Sequence, residues 1–103
     1  MSKSARNIMR KRRRLKGGLR HMVDYIDIDN LVIVEVGSYA GESTEIFCSH
    51  SKCLKLFAVD PWVNGYDPKD GASEKYDMAE VEKWFDVRME SFNNFSKLKE
   101  TSE

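Results

Sequence analysis

Two runs of apolar residues constrain the fold of this chain more than any other feature. Each run is followed directly by residues that end a strand. Residues 31–36 are mostly β-branched and show no alternation, the pattern of a strand buried on both faces inside a parallel sheet. Residues 54–59 are followed by Asp60 and Pro61, and proline cannot continue a ladder within a sheet. A glycine loop at 37–41 and a short helix from about Ser43 fit between them. This order of strand, loop, helix and strand predicts a βαβ unit.

Three further elements flank this unit. Apolar residues at helical spacing predict a helix over about 18–27, although Gly17 and Gly18 disfavour its start, and an amphipathic helix over 78–92. Weak alternation over 95–101 predicts a third strand at a sheet edge. The polar residues 62–76 predict a loop of roughly 15 residues, and loops of this length are usually functional or mobile. The fold class is therefore α/β, with about three parallel strands and flanking helices in a partial, Rossmann-like three-layer arrangement.

The glycine loop and the acid after the second strand are the candidate ligand-binding features. Open α/β sheets bind ligands at the carboxyl ends of their strands. Gly37 and Gly41 permit backbone angles and close approaches that a side chain would block, and the Ser43 hydroxyl is placed to cap the next helix. Asp60 follows Gly41 by 19 residues, where dinucleotide folds place an acid on ribose hydroxyls. The alternative is structural, because glycine turns and Asp-Pro strand ends also occur in α/β folds without a ligand.

The residues between the glycines indicate which nucleoside ligand is favoured. A dinucleotide fingerprint needs glycines where this chain has Tyr39 and Glu42, and a phenol and a carboxylate there both oppose a pyrophosphate. S-adenosylmethionine carries no phosphate, and its sulfonium and amino groups tolerate Glu35 and Glu42. A fragment of a Rossmann oxidoreductase is accordingly disfavoured.

Residues 34–44, with the sequence VEVGSYAGEST, resemble motif I of class I S-adenosylmethionine-dependent methyltransferases, and residues 59–62 look like the acidic motif II segment. The likeness covers about 28–100 and implies a cofactor-binding function for S-adenosylmethionine. It implies that Asp60 binds the ribose and that Trp62 neighbours the adenine, although core packing is an equal alternative for Trp62. The residues implied at the amino-acid end of the cofactor are Glu35, Gly37, Ser38, Tyr39, Gly41 and Ser43.

The same family continues beyond this point with strands that form the acceptor site, so we expect residues 21–103 to be the amino-terminal half of a truncated methyltransferase domain. The implied acceptor is a small molecule or sugar. No catalytic residue is predicted, because no base is placed in an acceptor pocket. The alternative is a non-catalytic binding module of the same ancestry, which pairs with another chain or with nucleic acid through the basic residues 1–20. The open sheet edge also favours a partner chain or a homo-oligomer.

Charge is divided unevenly along the chain. Residues 1–20 carry nine Lys or Arg and no acid, whereas the remainder carries eight bases and 17 acids. This basic arm, the separate segment 1–20, is either a solvated flank or a contact for nucleic acid or another acidic partner. It lacks the apolar core of a secretory signal, and no apolar run approaches a membrane span, so a cytoplasmic location is expected.

Cysteine usage points to no metal site. Cys48 and Cys53 are the only cysteines, separated by four residues, with no second pair or histidine cluster at zinc-ligand spacing. We expect two reduced, partly buried thiols. His21 and His50 are given no role.

Overall fold

The structure is a computed structural model that describes residues 16–65 and 76–101. Most of the basic arm and of the loop at 62–76 therefore lies outside the described residues. Helices and strands alternate along the chain, and the order is α1 (Lys16–Tyr25), β1 (Leu31–Val36), α2 (Glu42–Ser49), β2 (Cys53–Val59), α3 (Met78–Met89) and β3 (Phe95–Leu98). No helix in these two ranges is long and apolar enough to cross a membrane.

The strands form one parallel, open sheet in the order β1-β2-β3. The α/β class and the parallel three-stranded sheet are thus confirmed. The expectation that β1 is a central strand buried on both faces is wrong for the described residues, since β1 lies at one edge and its side chains alternate between half-buried and exposed. The valines of β1 do not distinguish its two faces, and its one charged residue, Glu35, lies on the half-buried face.

All three described helices pack on one face of the sheet. Val23 of α1, Phe47 of α2 and Phe85 of α3 join Leu56 and Ala58 of β2 in one buried cluster. Right-handed crossovers explain this, because strands added in one direction along a sheet place both connecting helices on the same side. The described residues therefore form two layers, the sheet and one layer of helices, where three layers were expected.

The helices also begin and end at residues that differ from those predicted. Helix α1 begins at Lys16 despite Gly17 and Gly18, and it ends at Tyr25. At its carboxyl end, the Lys52 ammonium donates to the carbonyl oxygens of Asp24 (2.9 Å) and Ile26 (2.6 Å), which satisfies groups that a helix end leaves unpaired. A cation at a helix carboxyl end is also favoured by the helix dipole.

Candidate functional site

The loop between β1 and α2 has an unusual backbone. Gly37, Tyr39 and Gly41 all have positive φ, at 84°, 48° and 85°. The Gly37 amide donates to the Val59 carbonyl (2.8 Å), which fixes the start of the loop beside the carboxyl end of β2. The Gly41 amide donates to the Ser38 carbonyl (2.9 Å) and closes a turn that leads into α2. The loop is therefore held at the edge of the sheet where α/β folds bind ligands.

The two glycines are required for different reasons. A Cβ on Gly41 would lie 3.0 Å from Cδ2 of Phe85 and 3.4 Å from Cδ of Arg88, so this glycine permits close packing of the loop on α3. A Cβ on Gly37 would meet only Cε2 of Tyr39, at 3.7 Å, which is an ordinary contact. Gly37 is required for its φ alone, and of the two it is the glycine whose surface remains available to a ligand.

Asp60 joins this loop to the segment after β2. One carboxylate oxygen accepts the Tyr39 amide (3.1 Å), and the other accepts the Trp62 amide (2.8 Å). The residue is only 4% exposed. A carboxylate has about four lone-pair sites, so two backbone amides leave acceptor capacity on both oxygens. Asp60 thus organises two loops and keeps the capacity to accept from hydroxyl groups.

Trp62 lies in the core rather than on the surface of the loop. Its ring centroid is 5.0 Å from that of Phe85, and its indole N–H donates to the Tyr39 carbonyl (2.9 Å). The Lys97 ammonium lies 5.0 Å from the ring centroid. Of the two interpretations of this residue, the geometry favours core packing.

Glu35 connects β1 to the first turn of α2. Its carboxylate accepts the Ser43 hydroxyl (2.6 Å) and the Thr44 hydroxyl. The prediction that Ser43 caps the helix is wrong, because Gly41 occupies the N-cap position and no side chain caps it. The helix begins at Glu42, so Ser43 lies inside its first turn, and its hydroxyl donates to the Glu35 carboxylate of β1 instead.

The first turn of α2 also contacts a half-buried arginine. Arg88 of α3 lies 3.9 Å from Glu42 and 3.8 Å from Glu45, and its side chain is 14% exposed. Acidic residues in a first helical turn are favoured by the helix dipole. Sequence reasoning missed Arg88, because no local pattern links it to a residue on the preceding helix.

Ser38 carries a polar atom without a described partner. The residue is 0% exposed, and within residues 16–65 and 76–101 nothing forms a hydrogen bond with its Oγ. A buried hydroxyl without a partner costs about 1–3 kcal/mol. Such a group within a glycine loop is a candidate contact for a bound molecule.

Two pairs of side chains lie away from this loop. Cys48 and Cys53 are buried free thiols, and burial raises the pKa of Cys48 to about 12. His50 contacts Asp24 at 2.6 Å and accepts the Lys52 amide through Nδ1 (3.1 Å). Across the described ranges, no group of three or more His, Cys, Asp or Glu side chains converges as a metal site would need.

The predicted site residues form two groups, and the members of each group contact one another. Glu35 and Ser43 form the first, and Tyr39, Asp60 and Trp62 form the second, with the glycines and Ser38 in the loop between them. Comparisons with protein-family models, with curated proteins and with solved structures gave no match. Membership of the methyltransferase family accordingly stays a prediction.

Proposed function

We propose that residues 31–62 bind S-adenosylmethionine and form the cofactor-binding part of a methyltransferase. The observation that carries the proposal is the position of Asp60, whose carboxylate is held at the carboxyl end of β2 against the loop that follows β1. Parallel α/β sheets bind nucleoside ligands at this edge, and an acid there accepts from ribose hydroxyls. Asp60 retains the lone pairs that this role needs.

The side chains around the loop fit the remaining parts of this cofactor. Ser38 supplies a buried hydroxyl whose hydrogen bond is unmade in the described residues. Glu35 and Glu42 place negative charge beside the loop, with Arg88 as the nearby cation. Carboxylates favour a sulfonium and an ammonium group and oppose a pyrophosphate, so the charge distribution supports S-adenosylmethionine over a dinucleotide.

The proposed roles of the chain are binding and orientation. The bound cofactor would supply an electrophilic methyl group on its sulfonium. Asp60 would hold the ribose, and the backbone of Gly37 and the Ser38 hydroxyl would hold the amino-acid end, with the Tyr39 ring against Gly37 as one wall. Orientation of this kind lowers the barrier to transfer without proton chemistry. No residue is assigned as a base.

Isothermal titration calorimetry with S-adenosylhomocysteine and S-adenosylmethionine tests the proposal. We expect saturable binding with a Kd on the order of 10 μM, which corresponds to about 7 kcal/mol. Ser38→Ala removes a buried hydroxyl that bonds to nothing in the described residues, so we expect the free energy of unfolding to rise by up to about 1–3 kcal/mol while binding weakens about tenfold. This variant separates a ligand contact from a structural role.

Asp60→Asn is the second variant, and Asp27→Asn is its matched control because Asp27 is exposed. The first is expected to abolish measurable binding while circular dichroism shows a folded chain, and the second to leave the Kd unchanged. A folded wild-type chain that gives no saturable heat with either ligand would refute the proposal. Equal loss in both aspartate variants would show that binding is unspecific.

A further inference from the structure

A lysine lies on the face of the sheet that the helices cover. Lys97 of β3 is in register with Ala58 of β2, and Ala58 is fully buried beneath the helices. The Lys97 ammonium donates to the carboxylates of Glu82 and of Asp86 (2.9 Å to Asp86), both on α3. Replacing a buried ion pair by well-packed apolar side chains is often neutral or stabilising. Stability alone therefore does not account for a lysine at this position.

The same ammonium also contacts an aromatic ring. It lies 5.0 Å from the centroid of the Trp62 ring, within the range of a cation–π interaction. Phe85 packs against the same indole, with ring centroids 5.0 Å apart, and Trp62 is only 3% exposed. The orientation of the indole is therefore fixed by a cation as well as by an apolar neighbour.

The orientation of this indole affects the loop that follows β1. The indole N–H donates to the Tyr39 carbonyl (2.9 Å), and Asp60 accepts the backbone amides of Trp62 (2.8 Å) and Tyr39 (3.1 Å). Trp62 and Tyr39 have φ of 46° and 48°, a conformation that residues other than glycine rarely adopt. Such a backbone persists only where the surrounding contacts hold it. The contacts that run from Lys97 through Trp62 to Tyr39 are among those that do so.

We infer that Lys97 is a positioning residue for the cofactor site, an inference that rests on the function proposed above. The ammonium holds the Trp62 indole, and the indole holds the Tyr39 carbonyl. The Tyr39 amide consequently stays on the Asp60 carboxylate, and this carboxylate keeps the orientation in which it would accept from the ribose. Lys97 acts through Trp62 and needs no contact with the cofactor. If its loss leaves the loop in the binding geometry for about a tenth of the time, the apparent Kd rises about tenfold.

Hydrogen exchange of the free, full-length chain, followed by NMR, tests whether Lys97 holds the loop. Lys97→Met removes the charge and keeps an unbranched apolar stem. We expect exchange of the Trp62 indole N–H and of the Tyr39 amide to become about tenfold faster, because these groups then open locally. The Leu56 amide, which donates to the Asn94 carbonyl within the core, is the internal reference and should keep its rate.

Lys99→Met is the matched control variant. The Lys99 ammonium bonds the same Glu82 carboxylate (2.9 Å), but from an exposed position after the end of β3. This variant should leave exchange at Trp62 and Tyr39 unchanged. Lys97→Arg retains a cation that stacks on aromatic faces, so it should restore slow exchange.

Calorimetry with S-adenosylhomocysteine on the same variants separates this inference from the proposed function. We expect the Kd of Lys97→Met to be about tenfold higher than that of Lys99→Met, and that of Lys97→Arg to lie near wild type. A Kd for Lys97→Met equal to that of Lys99→Met overturns the inference and leaves the proposed function intact. A folded wild-type chain that binds no cofactor refutes the proposed function, and the exchange rates then still decide whether Lys97 positions the loop.

Two exchange results would overturn the role of Lys97 without any ligand. The first is equal, unchanged exchange at Trp62 and Tyr39 in Lys97→Met and Lys99→Met, since the ammonium then does not hold the indole. The second is exchange in Lys97→Met that accelerates as much at Leu56 as at Trp62, since the lysine then only stabilises the fold.

Discussion

Gly41→Ala gives the sharpest test of the loop geometry. The residue has φ 85°, and a left-handed conformation costs an alanine roughly 1–2 kcal/mol. Its new Cβ would also lie 3.0 Å from Cδ2 of Phe85. Phe85 is fully buried, so its ring would have to shift within the core, and overpacking of this kind costs about 1–3 kcal/mol. The free energy of unfolding should therefore fall by roughly 3 kcal/mol.

Gly65→Ala is the matched control. Gly65 has φ 75°, but nothing lies within 4 Å of the Cβ that an alanine would add there, so this substitution costs the backbone strain alone, roughly 1–2 kcal/mol. Both substitutions reduce the entropy of the unfolded chain equally, so the difference between them isolates the contact with Phe85. Urea unfolding followed by circular dichroism measures it. Equal losses in the two variants would refute the packing role assigned to Gly41.

Three further outcomes are expected. Lys52→Met removes the cation that caps α1 and should lower the free energy of unfolding by about 1–2 kcal/mol in urea titrations, whereas Lys83→Met, on an exposed turn of α3, should not. Burial raises the pKa of Cys48 to about 12, so iodoacetamide at pH 8 should leave this thiol unmodified in the folded chain and label it in urea; rapid labelling of folded protein would contradict its burial. The hydrogen bond from His50 holds the pKa of Asp24 below its ordinary 3.8, so the pair stabilises the fold above pH 3.8 and that contribution is lost as pH falls through the lower folded pKa. Asp24→Asn should therefore be less stable than wild type at pH 6 and approach it near pH 2, as thermal unfolding would show.

The order of elements could be read from the sequence because each one carries a local signal. Residues 31–36 and 54–59 are largely apolar runs of strand length, and the helix predicted over 78–92 is observed over Met78–Met89. The boundaries were less accurate, since capping decides them. Lys52 lies 27 residues beyond the Tyr25 end of α1 that it caps, and no local pattern reports such a contact.

The side-chain contacts of the site could not be predicted from the sequence either, because they too join residues that are distant along the chain. A hydroxyl at Ser43 fits an N-cap by spacing, but its partner is decided by Glu35 on the adjacent strand. Gly41 was identified as a special backbone position, yet the atom that requires it belongs to Phe85, on a later helix. The exposure of Val32 and Val34 depends on which face receives both crossovers, a property of topology that composition does not reveal.

The Trp62 indole donates a hydrogen bond to the Tyr39 carbonyl, so the fluorescence of Trp62 reports on the loop between β1 and α2. Asp60 holds both residues, so a rearrangement at Tyr39 changes the polarity around the indole as well. The other tryptophan, Trp84, lies on α3. In a Trp84→Phe background, the emission of Trp62 would follow the state of the loop between β1 and α2 in real time and without an added dye.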